Sequence, residues 1–258
     1  MTEWLRCVTR NHMGFSRAGS NPAAVDIFVF SALAKRKKCT RMNSKEFEVK
    51  HVHEVYNEIA EHFSNTRYKA WPVVQRFMDS LTEWSVGVDC GCGNGKNMRI
   101  NENILCIGVD NSVELLKIAH RNSNLAPVLA CDIRILPFVN GSLDFAISIA
   151  VIHHLSEASD RLKSLREMSR KLKNGGQFLI FVWAAEQESI YSTPGLEKLN
   201  DLGDYLVPWR SGDKIFKRFY HLFRKGELEE LVAAASEDLK VIESGYDRDN
   251  WFVIGKKN

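Results

Sequence analysis

Three acids and a run of glycines are where chemistry is most visible in this sequence. Val88-Asp89-Cys90-Gly91-Cys92-Gly93-Asn94-Gly95 sets an acid just ahead of three alternating glycines. Glycines in such a turn tolerate positive φ and let backbone amides approach a ligand closely. Asp110 stands 21 residues beyond Asp89, where an acid can accept both hydroxyls of a ribose. A dinucleotide fingerprint counted from Gly91 would need glycine at position 96, which is Lys96. Asp89 would repel a pyrophosphate but can take the ammonium of an amino-acid moiety. The pattern excludes a nicotinamide oxidoreductase and points to a nucleoside with an amino-acid tail.

The elements around these residues alternate. Apolar residues at helical spacing mark a helix over 47–63, and Trp71-Pro72 opens another with proline in its first turn. Strands are predicted at 85–89, 103–110, 127–131, 143–150 and 177–183. Ser112 caps a helix to about Arg121; a helix over 157–172 ends at Lys173-Asn174-Gly175-Gly176, and 226–235 is a further helix. Strands at 239–246 and 251–256, joined by a turn at 247–250, form an antiparallel hairpin. The alternation predicts an α/β fold with a parallel, doubly wound sheet closed by that hairpin. Residues 184–218 read as an insertion with some helix and no clear core.

Composition narrows the class. Of 258 residues, 45% are hydrophobic and 26% charged, a globular balance. No run of about 18 apolar residues offers a membrane span. Residues 1–44 carry eight Lys/Arg against two Asp/Glu, net +6, and the remainder carries 27 against 30, net −3. The body is thus no general polyanion binder, and any nucleic-acid site is a local patch. The first 44 residues read as a basic tail, disordered or non-catalytic, ahead of a catalytic domain over 45–258. The six cysteines, Cys7, Cys39, Cys90, Cys92, Cys106 and Cys131, form no C-x-x-C pair, and His153-His154 finds no third ligand at suitable spacing. No metal site is expected. Cys90, Cys106 and Cys131 lie in or beside apolar strands and read as small buried hydrophobes in a reducing compartment.

The acid, the three glycines and Asp110 together resemble the class I S-adenosylmethionine methyltransferases. That resemblance implies a Rossmann-like fold with a seven-stranded, mostly parallel sheet, and S-adenosyl-L-methionine as cofactor. It implies cofactor contacts from Asp89, Gly91, Gly93, Gly95 and Asp110, with Asp132 on the adenine amino group and Ile133 beside it. Ala150, at the end of the fourth strand, begins the loop that faces the methyl group in such enzymes.

Further segments narrow the resemblance. They are the stretch from Tyr56 through Arg67 to Pro72, then Ala150-Val151-Ile152-His153-His154 and Trp183-Ala184-Ala185-Glu186-Gln187. Tyr220-His221-Leu222-Phe223-Arg224-Lys225-Gly226-Glu227-Leu228-Glu229 and Asp247-Arg248-Asp249-Asn250-Trp251-Phe252-Val253 complete the set. Together they are similar to the eukaryotic tRNA wobble-uridine carboxymethyl methyltransferases, which esterify 5-carboxymethyluridine at anticodon position 34. The similarity runs from about residue 45 to the end and departs at 188–218, which is shorter than the basic insert of some members.

A carboxylate acceptor is ionised at neutral pH and needs no general base, so alignment and an anion clamp suffice. Arg67 is the first choice as clamp, with Tyr68 and His153 beside it. Trp71, Trp183, Tyr220 and Trp251 are candidates to stack a flipped uracil, and Arg224, Arg248 and Asn250 are further substrate contacts. The basic stretch 209–224 (Arg210, Lys214, Lys217, Arg218, Arg224) could track phosphates around an anticodon loop. The resemblance also implies a small zinc-binding activator subunit that adds a strand beside the third strand, at 127–131, an apolar edge without charge. The expected location is the cytoplasm, with the nucleus as a second. The rival readings are a small-molecule methyltransferase of the same fold and a non-catalytic binding protein that kept it.

Overall fold

The computed structural model describes residues 43–258 apart from 68, 124 and 125. The expected tail over 1–44 therefore lies outside the described residues except for Asn43 and Ser44, and Tyr68 lies outside them too. A capped helix already begins at these two tail residues. Asn43 Oδ1 accepts from the Glu46 amide at 2.9 Å and the Glu46 carboxylate accepts from the Asn43 amide at 3.2 Å, a reciprocal capping box. Helix α1 (Ser44–Glu48) runs through a π-helical turn (Val49–His53) into α2 (Glu54–Asn65). Helix α3 (Pro72–Asp79) follows, with Trp71 at its N-cap.

The strands are β1 (Val86–Cys90), β2 (Leu105–Asp110), β3 (Val128–Ala130), β4 (Leu143–Ile149), β5 (Leu172–Trp183), β9 (Leu239–Asp247) and β10 (Asn250–Lys257). They form one sheet in the order β3-β2-β1-β4-β5-β10-β9. The first five are mutually parallel, and β10 runs antiparallel to both β5 and β9. Helices α4 (Val113–Asn122), α5 (Ala158–Lys171) and α7 (Glu227–Ala235) cover the faces. Ser112 caps α4 by accepting from the Leu115 amide at 3.2 Å.

Alternation along the strands sends residues to two cores. Ala146, Ile180 and Val253 face Leu165, Met168, Leu228 and Val232 of α5 and α7. Phe145, Ile147, Leu179, Phe181 and Phe252 face Val74, Phe77 and Met78 of α3 and Leu116 and Ala119 of α4. Chain direction across the sheet reverses between β1 and β4, so a crevice opens beyond their carboxyl ends. At the hairpin turn, Arg248 and Asp249 take φ of +51° and +64°, the two-residue geometry that suits the twist of the flanking strands.

Two expectations are corrected. The Lys173-Asn174-Gly175-Gly176 stretch is not a loop after α5 but the beginning of β5, which starts at Leu172. The register against β4 jumps from Leu143↔Leu172 to Phe145↔Gln177, a bulge that Gly175 permits at φ +82°. The insertion does have a core. After α6 (Glu188–Tyr191), strands β6 (Glu197–Lys198), β7 (Asp204–Ser211) and β8 (Lys214–His221) form a three-stranded antiparallel sheet. Ile190, Val207, Tyr220 and Leu222 pack there with Trp183. Trp183, Tyr220 and Leu222 lie outside 184–218, which hid the core from a reading of the segment alone.

Candidate active site

The crevice is a cavity of about 620 Å³. One wall is the turn after β1. Gly91, Gly93 and Gly95 hold φ of +81°, +55° and +77°. A Cβ at Gly91 would meet the Val151 side chain at 2.4 Å, and one at Gly95 would meet Ala119 Cα at 3.0 Å. Asp110 closes the turn from β2: its carboxylate accepts from the Gly93 amide at 2.9 Å and from the Ser112 amide at 2.8 Å. Burial raises the Asp110 carboxyl, and these amides hold it back. Asp89 is fully buried behind the turn, with no hydrogen bond of good geometry to its oxygens among the described residues and only the Asn97 side chain and the more distant Lys96 charge easing its burial. Burial pushes the Asp89 carboxyl up to about 7. Such an acid is receptive to a cation. Ala150, a non-glycine residue at φ +61°, ends β4 on the cavity; strained backbone of this kind concentrates at functional sites.

The opposite wall comes from α2, the loop after β4, and β8. The Trp183 amide donates to His153 Nδ1 at 3.1 Å, so the His153 proton sits on Nε2, which is buried without a partner. Burial drives the His153 pKa well down, leaving a neutral donor. His153 stacks on Tyr220 with centroids 4.9 Å apart. His154 Nδ1 donates to the Phe219 carbonyl at 2.7 Å, tying the loop to β8, and its Nε2 accepts from the Tyr56 hydroxyl at 2.9 Å. Burial lowers the His154 pKa to about 3. Arg67 is half-buried at the end of α2. Its carbonyl accepts from Asn94 Nδ2 of the glycine turn at 2.9 Å, which fastens this residue to the first wall.

Most sequence candidates meet here. Gly91, Gly93, Asp110, Ile133 and Ala150 line the cavity on one side, and Arg67 and His153 on the other. Trp71, Trp183, Tyr220, Arg248 and Asn250 line it as well. Asn250 Oδ1 is buried without a partner. Asp89 and Gly95 lie behind the lining. Asp132 does not line it: Arg134 grips its carboxylate through Nη2 at 2.6 Å. Burial alone would raise the Asp132 carboxyl, and this guanidinium brings it below the ordinary value.

Besides Asp132, two candidates are not brought to the cavity. Arg224 is exposed and donates to the Asp201 carbonyl at 3.0 Å. Trp251 packs on Tyr246 and donates from Nε1 to Glu186 at 2.9 Å. Both follow from the pleat and the insertion: the side of β10 carrying Trp251 faces away, and Arg224 lies beyond the end of β8. Among the cavity residues to which sequence assigns no role are Tyr56, His154 and Lys96, and Arg218, expected on phosphates, lines the cavity instead. Arg218 had been one basic residue among five; its i, i+2 spacing to Tyr220 was the signal that both share one face of a strand.

Comparison with known proteins bears on what this cavity serves. A family model described as a methyltransferase domain matches residues 88–180. The tRNA (carboxymethyluridine(34)-5-O)-methyltransferase of Schizosaccharomyces pombe is 46% identical over 233 residues, covering 83% of this chain and 99% of that protein. The chain belongs to the tRNA (carboxymethyluridine(34)-5-O)-methyltransferase family. The Saccharomyces cerevisiae member is 34% identical, covering 82% of this chain and 97% of its own length. Of the mouse member ALKBH8, also 34% identical, the match covers 44%.

Solved structures agree on the fold. A chain of the Haloferax volcanii complex between the Trm112 methyltransferase activator and a methyltransferase superposes with TM-score 0.58 at 17% identity, covering 80% of this chain and 98% of that one. The Burkholderia thailandensis 1,6-didemethyltoxoflavin-N1-methyltransferase, solved with S-adenosylhomocysteine, gives 0.56 at 16% identity, covering 94% and 93%. The family match region ends before Trp183, so β8 and the hairpin turn that complete the second wall lie outside it. Among the described residues no group of three or more His, Cys, Asp or Glu side chains could hold a metal, and no helix is long and apolar enough to cross a membrane.

Proposed function

We propose that this chain transfers a methyl group from S-adenosylmethionine to the carboxylate of 5-carboxymethyluridine at the wobble position of tRNA. The observation that carries this reading is one cavity with buried Asp89 and half-buried Asp110 at the glycine turn and, across from it, Arg67 and Arg218, which have no carboxylate within 4.0 Å among the described residues, in a chain 46% identical to an enzyme with that name. The residues fit the donor. Asp89, buried and without an ion-pair partner among the described residues, offers a carboxylate to an ammonium; Asp110 can accept from ribose hydroxyls; and the glycines hold the turn at positive φ, with its backbone on the cavity. Asp132 keeps 33% of its side chain exposed and can still accept from an adenine amino group.

When bound, S-adenosylmethionine supplies a methyl carbon made electrophilic by its sulfonium. A carboxylate oxygen lone pair forms the new O–C bond as the C–S bond breaks with its electron pair leaving on sulfur; no proton moves. The chain therefore supplies alignment and water exclusion rather than a base. His153 is neutral and cannot quench the nucleophile by protonating it. Trp183 and Tyr220 offer faces to a flipped uracil, and Asn250 Oδ1 an acceptor for its N3–H. Arg210 and Lys214, exposed along β7 and β8, would meet phosphates of the anticodon loop.

A partner belongs to the same proposal. β3 is the terminal strand of the sheet, and Leu129 and Ala130 are exposed on it. An uncovered apolar edge invites an added strand, and the Haloferax neighbour was solved with an activator subunit. A tRNA substrate is consistent with a cytoplasmic or nuclear location. The test is nucleoside mass spectrometry of tRNA from cells lacking this chain. The free acid should accumulate at the wobble position at the expense of its ester; unchanged ester content refutes the reading.

A further inference from the structure

Arg218 is a buried guanidinium without a counter-ion. It is 3% exposed, lines the cavity, and has no carboxylate within 4.0 Å among the described residues. Its Nε is buried with no hydrogen-bond partner among the described residues, and its other nitrogens reach only phenol hydroxyls, that of Tyr56 at 3.4 Å from Nη1 and that of Tyr220. Two aromatic faces hold the cation in place, Trp209 with its centroid at 4.6 Å and Tyr220 at 5.1 Å. Aromatic faces offset part of the cost of burying a cation but leave its forked donors free. The other buried arginines are engaged: Arg134 by Glu48, Asp132 and Asp160, and Arg161 by the Leu155 carbonyl. An unpaired buried charge is costly, and a site that keeps one gains most when an anion arrives.

The surroundings say which anion. The Tyr56 hydroxyl donates to His154, so it can only accept from Arg218 and Tyr220; the His154–Phe219 bond then locks β8 to the loop after β4. Arg218 thus sits with its charge beside His153 and His154, and His153 Nε2–H is a second unpartnered donor on the same wall. Arg67 is placed differently. Its backbone carbonyl is tied to the glycine turn through Asn94, Lys96 is its cationic neighbour, and its guanidinium donates to the Thr66 carbonyl at 3.2 Å and lies 6.0 Å from the Trp209 ring that Arg218 also faces. The reaction has two carboxylates to place, one on the amino-acid end of the donor and one on the acceptor.

Resting on the function proposed above, we infer that Arg218, with His153 Nε2–H, holds the acceptor carboxylate, and that Arg67 belongs to the donor end. The clamp role expected of Arg67 passes to a residue that sequence placed among phosphate contacts. It also makes Arg218 the group that distinguishes an acidic acceptor from a neutral one, because an amide in its place leaves the guanidinium unpaired.

The test uses the full chain with its activator subunit and tRNA carrying either 5-carboxymethyluridine or 5-carbamoylmethyluridine at the wobble position. Arg218→Gln should leave S-adenosylhomocysteine affinity by calorimetry within about twofold, lower kcat about a hundredfold or more, and abolish the preference for the acid-bearing tRNA. Arg218→Lys keeps the charge but not the fork; it should retain part of that preference, and it reads the same contrast if the glutamine variant does not fold. Arg67→Gln should instead weaken S-adenosylhomocysteine. Wild-type turnover in Arg218→Gln, or loss of acid preference from Arg67→Gln alone, overturns the inference. Failure of the wild-type protein to esterify the acid-bearing tRNA would instead overturn the proposed function.

Discussion

The two walls of the cavity are built on opposite principles. The glycine-turn wall is mostly backbone: amides, positive-φ glycines and two acids, all within a few residues of the carboxyl ends of β1 and β2. Its two acids are buried or half-buried, its one cation beside the turn is Lys96, and its partners are local. The facing wall is side chain: Tyr56, His153, His154, Trp183, Arg218 and Tyr220 converge from four elements far apart in sequence. Its unpaired charges are positive. A cationic donor and an anionic acceptor would each meet the wall of opposite sign, and their charges cancel as the methyl group moves. Charge separation across one cavity thus brings two ions together for a reaction that neutralises both.

The strongest way to break this comparison is to remove an acid from the backbone wall. Asp110→Ala should weaken S-adenosylhomocysteine about a hundredfold or more by calorimetry, since charge-assisted hydrogen bonds to a ribose are worth about 1.5–3 kcal/mol each. It should leave tRNA affinity unchanged, and equal loss of both would deny that the walls act separately. Next comes the turn itself. Gly91→Ala adds a Cβ at φ +81° against Val151, and should cost about 1–3 kcal/mol, seen as a lower midpoint in thermal unfolding.

A gentler probe is pH. With the Asp89 carboxyl at about 7, the free protein holds a proton there in mild acid, and a bound ammonium favours its release. Affinity for S-adenosylhomocysteine should therefore rise as pH approaches 7, by up to about tenfold per unit, and level off above. Asp89→Asn should flatten that profile. The smallest effect expected is at Arg76, which pairs with Glu243 at 2.6 Å across α3 and β9 with 56% of its side chain exposed. Arg76→Ala should cost no more than about 1 kcal/mol in urea unfolding and leave turnover alone. An exposed, paired arginine and a buried, unpaired one then stand at opposite ends of one scale.

The backbone wall was legible because its determinants are contiguous. Asp89 to Gly95 occupy one turn, Asp110 ends the next strand, and both follow from strand and glycine signals that need no knowledge of distant contacts. Trp183 and Tyr220 were found as aromatic candidates, but Trp251, equally aromatic, points to Glu186 instead. The bulge at Gly175 and the small sheet β6-β7-β8 escaped for the same reason: each is stabilised by partners outside its own segment.

Sequence by itself determined the glycine-turn wall and the alternation of strands and helices that carries it, because short-range spacing and backbone freedom control both. Tertiary structure alone decided which of the arginines lies buried without a counter-ion. Arg67, Arg218, Arg224 and Arg248 are chemically alike. What separates them is whether a carboxylate, a carbonyl, an aromatic face or water surrounds the guanidinium, and those neighbours arrive only when β8 packs against the loop after β4.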